Sequence, residues 1–457
     1  MCGVASATLA RTQTSYVCRA CGGEAVKWQG QCAHCKQWDT LEAITGPRAP
    51  RTTTVTATVA TATVLTAEAG ADSRWQVGLA ELDRVFGGGL TPGSVTLLGG
   101  EPGIGKSTLL LQMGALVASR QATLYVSGEE SVAQVAMRAR RLRVAGDALS
   151  IVSEQSLDAV LALAVERSPS LLIIDSIQSM TSGEGDATPG TPTQLRECAG
   201  ALVRFAKSRR CAVIIVGHVT KDGSIAGPKL LEHLVDTVLY FESDAGSRYR
   251  MLRATKNRFG PVNELGFFAM SEAGLKEVRN PAAIFLSRRS EPAPGSVVMV
   301  ARDGNRPLLI EVQGLVNRSG FGAPRRVAQG VDANRVSMLL AILSRHAELP
   351  LNEYDVFVNL VGGIDIPEPA TDLPIALALA SSLKSEALPD SLAVFGELGL
   401  TGEVRPVAYG DERLREAIKL GFKTIMLPRE NLPKTSPEGV TLLPVSNIAE
   451  SLGRAWR

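Results

Sequence analysis

The feature that most constrains the fold of this chain is a glycine-rich segment, GEPGIGKST, at Gly100–Thr108. It follows the strand-like run SVTLLGG and precedes the helix-compatible run LLLQMGALVA. Glycines in such a loop let successive backbone N–H groups face phosphate oxygens, and the helix N-terminus adds its positive end. The pattern G-x-x-x-x-G-K-S between a strand and a helix therefore predicts a P-loop, with a glycine turn that binds nothing as the alternative.

The residues of this loop have distinct expected roles. Lys106 is expected to hold the β- and γ-phosphates of ATP, and Ser107 to ligate Mg²⁺. The expected nucleotide-binding residues are Gly100, Glu101, Pro102, Gly103, Ile104, Gly105, Lys106, Ser107 and Thr108.

Acidic residues follow two other strand-like runs. LLIIDS ends in Asp175, where a buried charge is costly unless it has a function, so Asp175 is the expected Walker B aspartate of the Mg²⁺ site. LYVSGEES carries Glu129 and Glu130, of which Glu129 is the preferred candidate to orient the attacking water. The alternative is that Ser127 caps a helix with both glutamates in its first turn. A third run, CAVIIVGHV, is expected to bring His218 to the same edge, either to sense the γ-phosphate or move a flexible loop, or merely to be held by neighbouring backbone.

Short apolar runs alternate with helical or glycine-rich segments between residues 75 and 280. This alternation indicates a mostly parallel sheet covered by helices on both faces, hence an α/β domain. Residues 281–457 also mix strands with helices and are predicted to form a second α/β domain. The Thr/Ala/Val-rich segment 46–74 lacks large side chains and is predicted to be a linker, with a β-strand as the alternative.

The N-terminal segment, residues 1–45, is dominated by two C-x-x-C pairs. Thiolates at this spacing can converge on Zn²⁺, and so small a segment needs a metal to fold. We therefore predict a zinc knuckle, with an iron-bearing knuckle or a redox dithiol as alternatives. His34 is expected to be a bystander, and Trp28 and Trp38 to be the large apolar anchors. The predicted zinc ligands are Cys18, Cys21, Cys32 and Cys35.

Charge and hydropathy limit the partners of the chain. Its formal net charge is only +2, so any nucleic-acid contact must depend on a local basic surface. It has no apolar run long enough to span a membrane and no secretion signal at its N-terminus, so a cytoplasmic location without membrane contact is expected.

The five residues KNRFG, at Lys256–Gly260, would by themselves indicate only a turn. However, the P-loop, the glutamate after the next strand, Asp175, GHVTKDG and KNRFG occur in this order, and in this combination the chain resembles the bacterial RadA (Sms) recombination proteins over nearly its whole length. The resemblance implies a RecA-like P-loop ATPase core, an N-terminal zinc motif and a C-terminal domain similar to the Lon protease domain.

The resemblance also implies a function. Its members are DNA-dependent ATPases of homologous recombination and DNA repair that form hexameric rings and promote branch migration. The implied cofactors are ATP, Mg²⁺ and Zn²⁺, and the implied partners are single-stranded and branched recombination DNA, the recombinase RecA and a replicative helicase. A KaiC-like ATPase that regulates a protein partner is the alternative, because the core motifs are shared.

In RecA-like rings the nucleotide lies between subunits, and a cation from the neighbouring subunit completes its site. By resemblance, Lys256 is the better candidate for the nucleotide and Arg258 for the nucleotide or DNA. The loops QSMTSGEGDATPGTPTQLRE and TKDGSIAGPKLLEH are expected to contact DNA, or else to be surface loops without a ligand. The expected DNA-binding or interface residues are Lys221, Lys229, Lys256, Asn257, Arg258, Phe259 and Gly260.

The Lon-like domain lacks the catalytic pair that Lon-type proteases use, a serine and the lysine that acts as its base. Aligned on the shared proline, EPATDLP has Ala370 at the serine position, and Arg413 replaces the lysine. Alanine has no nucleophile and arginine is too basic to accept a proton, so the domain is predicted to be an inactive protease that serves as a ring scaffold or a basic surface. Its candidate DNA contacts, unless they are merely solvated, are Arg302, Arg306, Arg325 and Arg326.

Overall fold

A computed structural model describes residues 15–25, 27–44, 74–144, 148–183, 188–218, 228–243, 248–286, 291–320 and 323–456. The chain divides into two compact units. The first comprises Met1–Glu242, Leu252–Gly260 and Met270–Leu275, and the second comprises Ser243–Met251, Pro261–Ala269 and Lys276–Arg457. Residues 46–73 of the predicted linker lie outside the described residues. No described helix is long and apolar enough to cross a bilayer.

The N-terminal segment forms a three-stranded antiparallel sheet in the order β2-β1-β3 from β1 (Ser15–Cys18), β2 (Glu24–Ala25) and β3 (Leu41–Ile44). Its small interior consists of the four cysteines and Leu41, with Tyr16 and two alanines partly buried against them. The prediction that Trp28 and Trp38 anchor this segment is wrong, because their exposed fractions are 58% and 71%. The thiols, Leu41 and Tyr16 form the small interior instead of the indole rings.

The predicted parallel sheet is present in the first unit. Strands such as AVIIV are buried along their whole length, as expected where helices cover both faces of a sheet. The strands are β4 (Val95–Gly100), β5 (Thr123–Ser127), β6 (Leu149–Ser153), β7 (Leu171–Asp175), β8 (Ala212–Val216) and β9 (Thr237–Glu242). They pair in parallel in the order β6-β5-β7-β8-β4-β9, and β10 (Tyr249–Asn257) follows β9. The next strands along the chain are β11 (Leu265–Ser271) and β12 (Gly274–Glu277).

Three of the described helices of the first unit begin at a serine or threonine whose side chain caps them, as sequence rules favour. Thr191 accepts a hydrogen bond from the N–H of Gln194, and Pro192 occupies the first turn of its helix, where it loses no bond. The helices are α1 (Ala80–Val85), α2 (Lys106–Ala118), α3 (Val132–Arg141), α4 (Leu157–Arg167), α5 (Pro192–Arg209) and α6 (Pro228–Glu232), with a 3₁₀ turn at Ile177–Ser179.

The second unit is built on a seven-stranded mixed sheet in the order β15-β16-β14-β13-β17-β20-β21 and a separate pair, β18-β19. These strands are β13 (Ser296–Asp303), β14 (Arg306–Arg318), β15 (Arg326–Gln329), β16 (Tyr354–Leu360), β17 (Leu392–Val394), β18 (Glu397–Leu398), β19 (Val404–Arg405), β20 (Thr424–Pro428) and β21 (Thr441–Val445).

Helices pack against this sheet, and the central one, α9, is buried along most of its length. The helices are α7 (Ala282–Phe285), α8 (Ala333–His346), α9 (Asp372–Lys384), α10 (Gly410–Lys419) and α11 (Ile448–Arg454). The 3₁₀ turns are Leu351–Glu353, Pro369–Thr371 and Arg429–Asn431.

Candidate nucleotide-binding site

The P-loop connects the buried strand β4 to α2, and glycine is required at both of its ends. Gly100 has a φ of 153°, and a Cβ atom there would lie 2.8 Å from the carbonyl oxygen of Phe241. Gly105, the N-cap of α2, has a φ of 117°, in the left-handed region that disfavours other residues. The N–H groups of the first turn of α2 therefore remain available for an anion.

The ammonium group of Lys106 lies inside this loop. Its Nζ donates to the carbonyl oxygens of Gly100 at 2.8 Å and Glu101 at 2.9 Å. Burial lowers the pKa of Lys106 to about 8, although the charges of Asp175 and Glu129 oppose that shift. A buried cation that holds only neutral carbonyls is suited to a triphosphate, which would supply the missing negative charge.

Because β5, β7 and β8 run parallel to β4, their carboxyl ends meet at the P-loop edge of the sheet. Asp175 ends β7, where it accepts a 2.5 Å hydrogen bond through Oδ2 from the hydroxyl of Tyr125 on β5. Tyr125 is buried, and burial together with the charge of Asp175 raises the pKa of its hydroxyl well above the usual value. The hydroxyl therefore stays protonated and donates to Asp175.

Glu129 lies just after β5, next to the end of β7. Its Oε1 accepts a 2.5 Å hydrogen bond from the hydroxyl of Ser176 and lies 3.5 Å from Nε2 of His218. The structure thus brings together Glu129, His218 and, through Ser176, the end of the strand that carries Asp175. The carboxylate of Glu129 remains half exposed, so it can reach a water molecule.

Glu130 is engaged differently from Glu129. Its N–H donates to the hydroxyl of Ser127 at 3.0 Å, and its carboxylate forms an ion pair with Arg138 of α3. The alternative that Ser127 caps the helix is wrong, because the N-cap is Ser131, which forms a capping box with Gln134. Both glutamates therefore precede α3 rather than occupy its first turn.

The KNRFG segment ends β10 and lies beside the start of β4. The backbone N–H of Arg258 donates to the carbonyl oxygen of Asp236 at 3.1 Å, and Oδ2 of Asp236 accepts from the N–H of Val95 at 3.0 Å. Val95 is the first residue of β4 and Gly100 is the last, a span of about 17 Å at roughly 3.3 Å per residue. Within one subunit, KNRFG therefore lies at the end of the sheet where β4 begins, and the P-loop lies at the other end, where β4 finishes.

The two cations of KNRFG differ in their surroundings. Nζ of Lys256 donates to the carbonyl oxygens of Glu232 at 2.6 Å and Val235 at 2.8 Å. Burial and, secondarily, the charge of Arg258 lower the pKa of Lys256. The side chain of Arg258 is 59% exposed, and its Nη1 lies 3.5 Å from Oδ1 of Asp236. Arg258 is therefore the more accessible cation, although the sequence favours Lys256 for the nucleotide.

The other KNRFG residues hold a tight turn. Asn257 donates to the carbonyl oxygen of Phe86 at 3.3 Å and accepts from the N–H of Phe259 at 3.0 Å. A Cβ atom at Gly260 would lie 2.8 Å from the Cα atom of Gly87, so the two backbones approach too closely for a side chain.

Of the two lysines expected at DNA, Lys221 lies outside the described residues. Lys229 lies in α6, and only its backbone is described.

The four predicted zinc ligands converge. Their sulfur atoms lie within 4.8 Å of one another, with Cys18–Cys35 at 3.6 Å and Cys21–Cys32 at 3.5 Å. A tetrahedral zinc ion with bonds of about 2.3 Å separates its sulfur ligands by about 3.8 Å. The cluster therefore fits zinc, whereas the predicted bystander, His34, is exposed and outside the group.

In the second unit, the positions of the Lon-type catalytic pair have other contacts. Ala370 is buried. Arg413 is 2% exposed and forms a bidentate ion pair with Glu368, with N–O distances of 2.6 and 2.9 Å. Its guanidinium also donates to the carbonyl oxygens of Val300 and Ala408 at 2.8 and 3.1 Å. These contacts indicate that Arg413 has a structural role, because it connects several segments in the interior of the second unit.

Two of the four arginines expected on a basic surface are not there. Arg302 stacks on the ring of Tyr409 and has a nearly buried side chain, and Arg306 donates to the carbonyl oxygen of Leu265 and lies over Phe267. The carboxylate of Glu412, 3.7 Å from Nη2 of Arg302, and the ring of Tyr409 compensate the charge of Arg302. The ring of Phe267 and the carbonyl oxygen of Leu265 do so for Arg306. The other two, Arg325 and Arg326, are exposed as expected.

Sequence reasoning missed three polar residues that contact the expected site residues: Tyr125, Ser176 and Asp236. Tyr125 could have been found from the run LYVS, because the hydroxyl of a tyrosine in a buried strand needs a hydrogen-bond partner. Asp236 precedes a strand and is buried, and only the fold shows that it connects KNRFG to β4. No local pattern indicated Ser176.

Comparison with family models gives three matches. They are an AAA domain at residues 62–224, the subunit ChlI of Mg-chelatase at residues 328–431, and a rubredoxin metal binding domain at residues 16–43.

Curated relatives cover nearly the whole chain. The DNA repair protein RadA of Pseudomonas aeruginosa is 49% identical over 97% of this chain and 99% of its own length. The RadA proteins of Escherichia coli and Bacillus subtilis are 48% and 44% identical, over 96% and 97% of this chain and 97% and 99% of their own lengths.

Two solved structures show a more distant similarity. The RadB recombinase is 22% identical with a TM-score of 0.37, and it covers 45% of this chain and 99% of its own. The flagellar accessory protein FlaH from Methanocaldococcus jannaschii is 14% identical with a TM-score of 0.37, over 45% of this chain and 98% of its own. The family-model matches, the parallel sheet and the cysteine cluster confirm the predicted fold class: a RecA-like P-loop ATPase core with an N-terminal zinc motif and a C-terminal Lon-like domain.

Proposed function

Since this chain belongs to the RadA family of DNA repair proteins, we propose that it is a DNA-dependent ATPase that promotes branch migration in homologous recombination as a hexameric ring. Its DNA partners are single-stranded and branched recombination intermediates. The recombinase RecA and a replicative helicase are the protein partners proposed from the family. The proposed division of labour is a zinc module at 1–45, a linker at 46–74, the ATPase at 75–280 and an inactive Lon-like scaffold at 281–457.

In the proposed reaction the P-loop residues Gly100–Thr108 wrap the phosphates of ATP, with Lys106 against the β- and γ-phosphates. Ser107 and Asp175 hold Mg²⁺, directly or through water, and the ion neutralises charge on the phosphate oxygens. Glu129 orients the attacking water. The support for this is that Lys106, Glu129 and Asp175 meet at one edge of the sheet, close enough for both carboxylates to act on the pKa of the lysine.

The observation that carries the proposal is the distance between KNRFG and the P-loop of the same subunit. KNRFG lies beside the start of β4 and the P-loop follows its end, about 17 Å along the strand, so the KNRFG cations are better placed to serve the site of an adjacent subunit than their own. Arg258 is the proposed group that reaches the neighbour's γ-phosphate, because its side chain is 59% exposed.

Lys256 has a different proposed role within the same segment. Its Nζ donates to the carbonyl oxygens of Val235 and of Glu232, the last residue of α6, the helix that also contains Lys229. If Lys221 and Lys229 contact DNA as proposed, Lys256 connects the DNA-binding segment to the segment that contacts the neighbouring nucleotide. Phosphate contacts from these two lysines would make DNA binding sensitive to salt.

The test combines two assays on the full chain. ATP turnover is measured at low salt with and without single-stranded DNA, and branch migration is measured on a synthetic four-way junction. We expect single-stranded DNA to accelerate turnover, and we expect Lys106→Ala to lack both activities. Turnover that ignores DNA at every salt concentration would contradict the motor and favour a KaiC-like ATPase that acts on a protein partner.

A further inference from the structure

The carboxyl ends of β5 and β7 are tied together by two hydrogen bonds that run in opposite directions. Tyr125, within β5, donates to Asp175 at the end of β7, and Ser176, just after β7, donates to Glu129, just after β5. Each carboxylate of the proposed ATPase site therefore accepts a hydrogen bond from a hydroxyl on the neighbouring chain segment: Asp175 from Tyr125, and Glu129 from Ser176. We call these four residues, Tyr125, Asp175, Ser176 and Glu129, the hydroxyl clasp.

The register of the two strands makes this exchange possible. β5 and β7 are neighbours in parallel, with Ser127 opposite Asp175, so the residues that follow each strand emerge side by side. The N–H of Gly128 donates to the carbonyl oxygen of Asp175 at 2.9 Å, which fixes the spacing of the two ends. The donors are also fixed, since Tyr125 is 1% and Ser176 0% exposed.

We propose that Tyr125 and Ser176 are positioning residues of the ATPase, with Tyr125 orienting Asp175 towards Mg²⁺ and Ser176 orienting Glu129 towards the attacking water. A hydroxyl bonded to one oxygen of a carboxylate leaves the other oxygen free in a fixed direction. Residues that orient a metal ligand in this way act on metal affinity, while residues that orient a base act on the chemical step. The two hydroxyls therefore have separable effects.

The first experiment concerns Tyr125→Phe, which removes only the hydroxyl. Binding of a fluorescent, slowly hydrolysed ATP analogue is titrated in excess Mg²⁺ and again in EDTA. Loss of an orienting contact to a metal ligand costs about 10- to 100-fold. We expect the gain in affinity that Mg²⁺ provides to fall by about tenfold or more, with affinity in EDTA unchanged. Tyr354→Phe, in the second unit, is the control. A Mg²⁺-dependent gain equal to that of the parent overturns the role of Tyr125.

The second experiment concerns Ser176→Ala, measured by steady-state ATP turnover. We expect kcat to fall about tenfold or more, short of the roughly 10²- to 10⁴-fold cost of removing a general base outright, with KM for ATP and analogue affinity unchanged. Ser170→Ala is the matched control, because Ser170 precedes the same strand at its other end, where it donates to Gln121. An unchanged kcat, or a rise in KM that accounts for the whole loss, overturns the role of Ser176.

Three further results separate this inference from the proposed function on which it rests and from simple misfolding. If Lys106→Ala retains ATP turnover, the proposed ATPase site itself is wrong. If Lys106→Ala is inactive while Tyr125→Phe and Ser176→Ala behave as the parent does, only the hydroxyl clasp is wrong. If either variant instead lowers the midpoint of thermal unfolding and loses analogue binding in EDTA, its hydroxyl stabilises the fold and the positioning role is overturned.

Discussion

Arg258 and Asp236 meet at the edge of the sheet farthest from the P-loop, with 3.5 Å between the guanidinium Nη1 and the carboxylate Oδ1. Asp236 is buried and also accepts from Nζ of Lys207 at 2.6 Å, so it holds a fixed negative charge beneath an exposed cation. This contact orients Arg258 and leaves most of its side chain in solvent. The arrangement is suited to presenting a cation to another subunit.

Arg258→Ala should bind ATP normally and hydrolyse it slowly. Loss of a cation that stabilises the transition state from a neighbouring subunit costs about 10³-fold or more in kcat. The measurement is kcat at saturating ATP and DNA, together with analogue affinity.

Mixing two inactive variants tests whether Arg258 acts between subunits. Rings assembled from Arg258→Ala and Lys106→Ala should regain activity, because some interfaces then join an intact P-loop to an intact Arg258. The double variant Lys106→Ala/Arg258→Ala mixed with Arg258→Ala is the control and should stay inactive. No recovery in the first mixture would indicate that Arg258 does not complete a neighbouring site.

Nucleotide affinity should weaken as the pH rises above about 8. Burial lowers the pKa of Lys106 to about 8 in the free protein, whereas bound phosphate favours the charged ammonium and raises it. Above pH 8 binding therefore requires proton uptake, and affinity should fall by up to about tenfold per pH unit until the pKa of the complex is reached. Analogue binding in EDTA between pH 7 and 10 measures this. Lys106→Arg should lack the decline, because its guanidinium stays charged.

Removing zinc should unfold the N-terminal module and leave the ATPase core folded. The described interior of this module is only the four cysteines, Leu41, the partly buried Tyr16 and two alanines, so the metal is expected to supply most of its folding free energy. Cys32→Ser should lose about one zinc per chain in a colorimetric assay and expose residues 15–44 to limited proteolysis. His34→Ala, at an exposed position, should keep the metal. Full zinc content in Cys32→Ser would contradict the four-thiolate site.

Arg413→Ala should destabilise the second unit by about 3–5 kcal/mol, because Glu368 would keep a charge without its partner. Chemical unfolding followed for this unit measures the loss. Arg413→Met/Glu368→Gln should recover much of it, while Arg325→Ala, at an exposed site, should change the free energy of unfolding by less than about 0.5 kcal/mol. An unchanged free energy of unfolding in Arg413→Ala would show that the ion pair between Arg413 and Glu368 does not stabilise the fold.

The P-loop, Asp175, Glu129 and the cysteine cluster could be predicted because each depends on a short local pattern. The position of KNRFG could not be predicted, because it depends on how β10, the strand that leads to it, runs beside β9. Trp28 and Trp38 were assigned to an interior that the thiols occupy instead. Sequence places Arg302 and Arg306 on a basic surface because the aromatic rings that they contact, Tyr409 and Phe267, are distant from them in sequence. Tyr125 and Ser176 donate hydrogen bonds to residues of a neighbouring strand or its following loop, and only the register of β5 against β7 shows this.

The P-loop follows the end of β4, whereas Arg258 lies beside its start. Each subunit therefore has two different contact surfaces, one with the nucleotide site and one with the cation. Head-to-tail contacts between such subunits complete one nucleotide site at every junction, and they close into a ring or extend as a helix. Under the proposed function, an isolated subunit hydrolyses almost no ATP, so turnover per subunit should rise with protein concentration. The rate of ATP hydrolysis would then report how much of the protein has assembled.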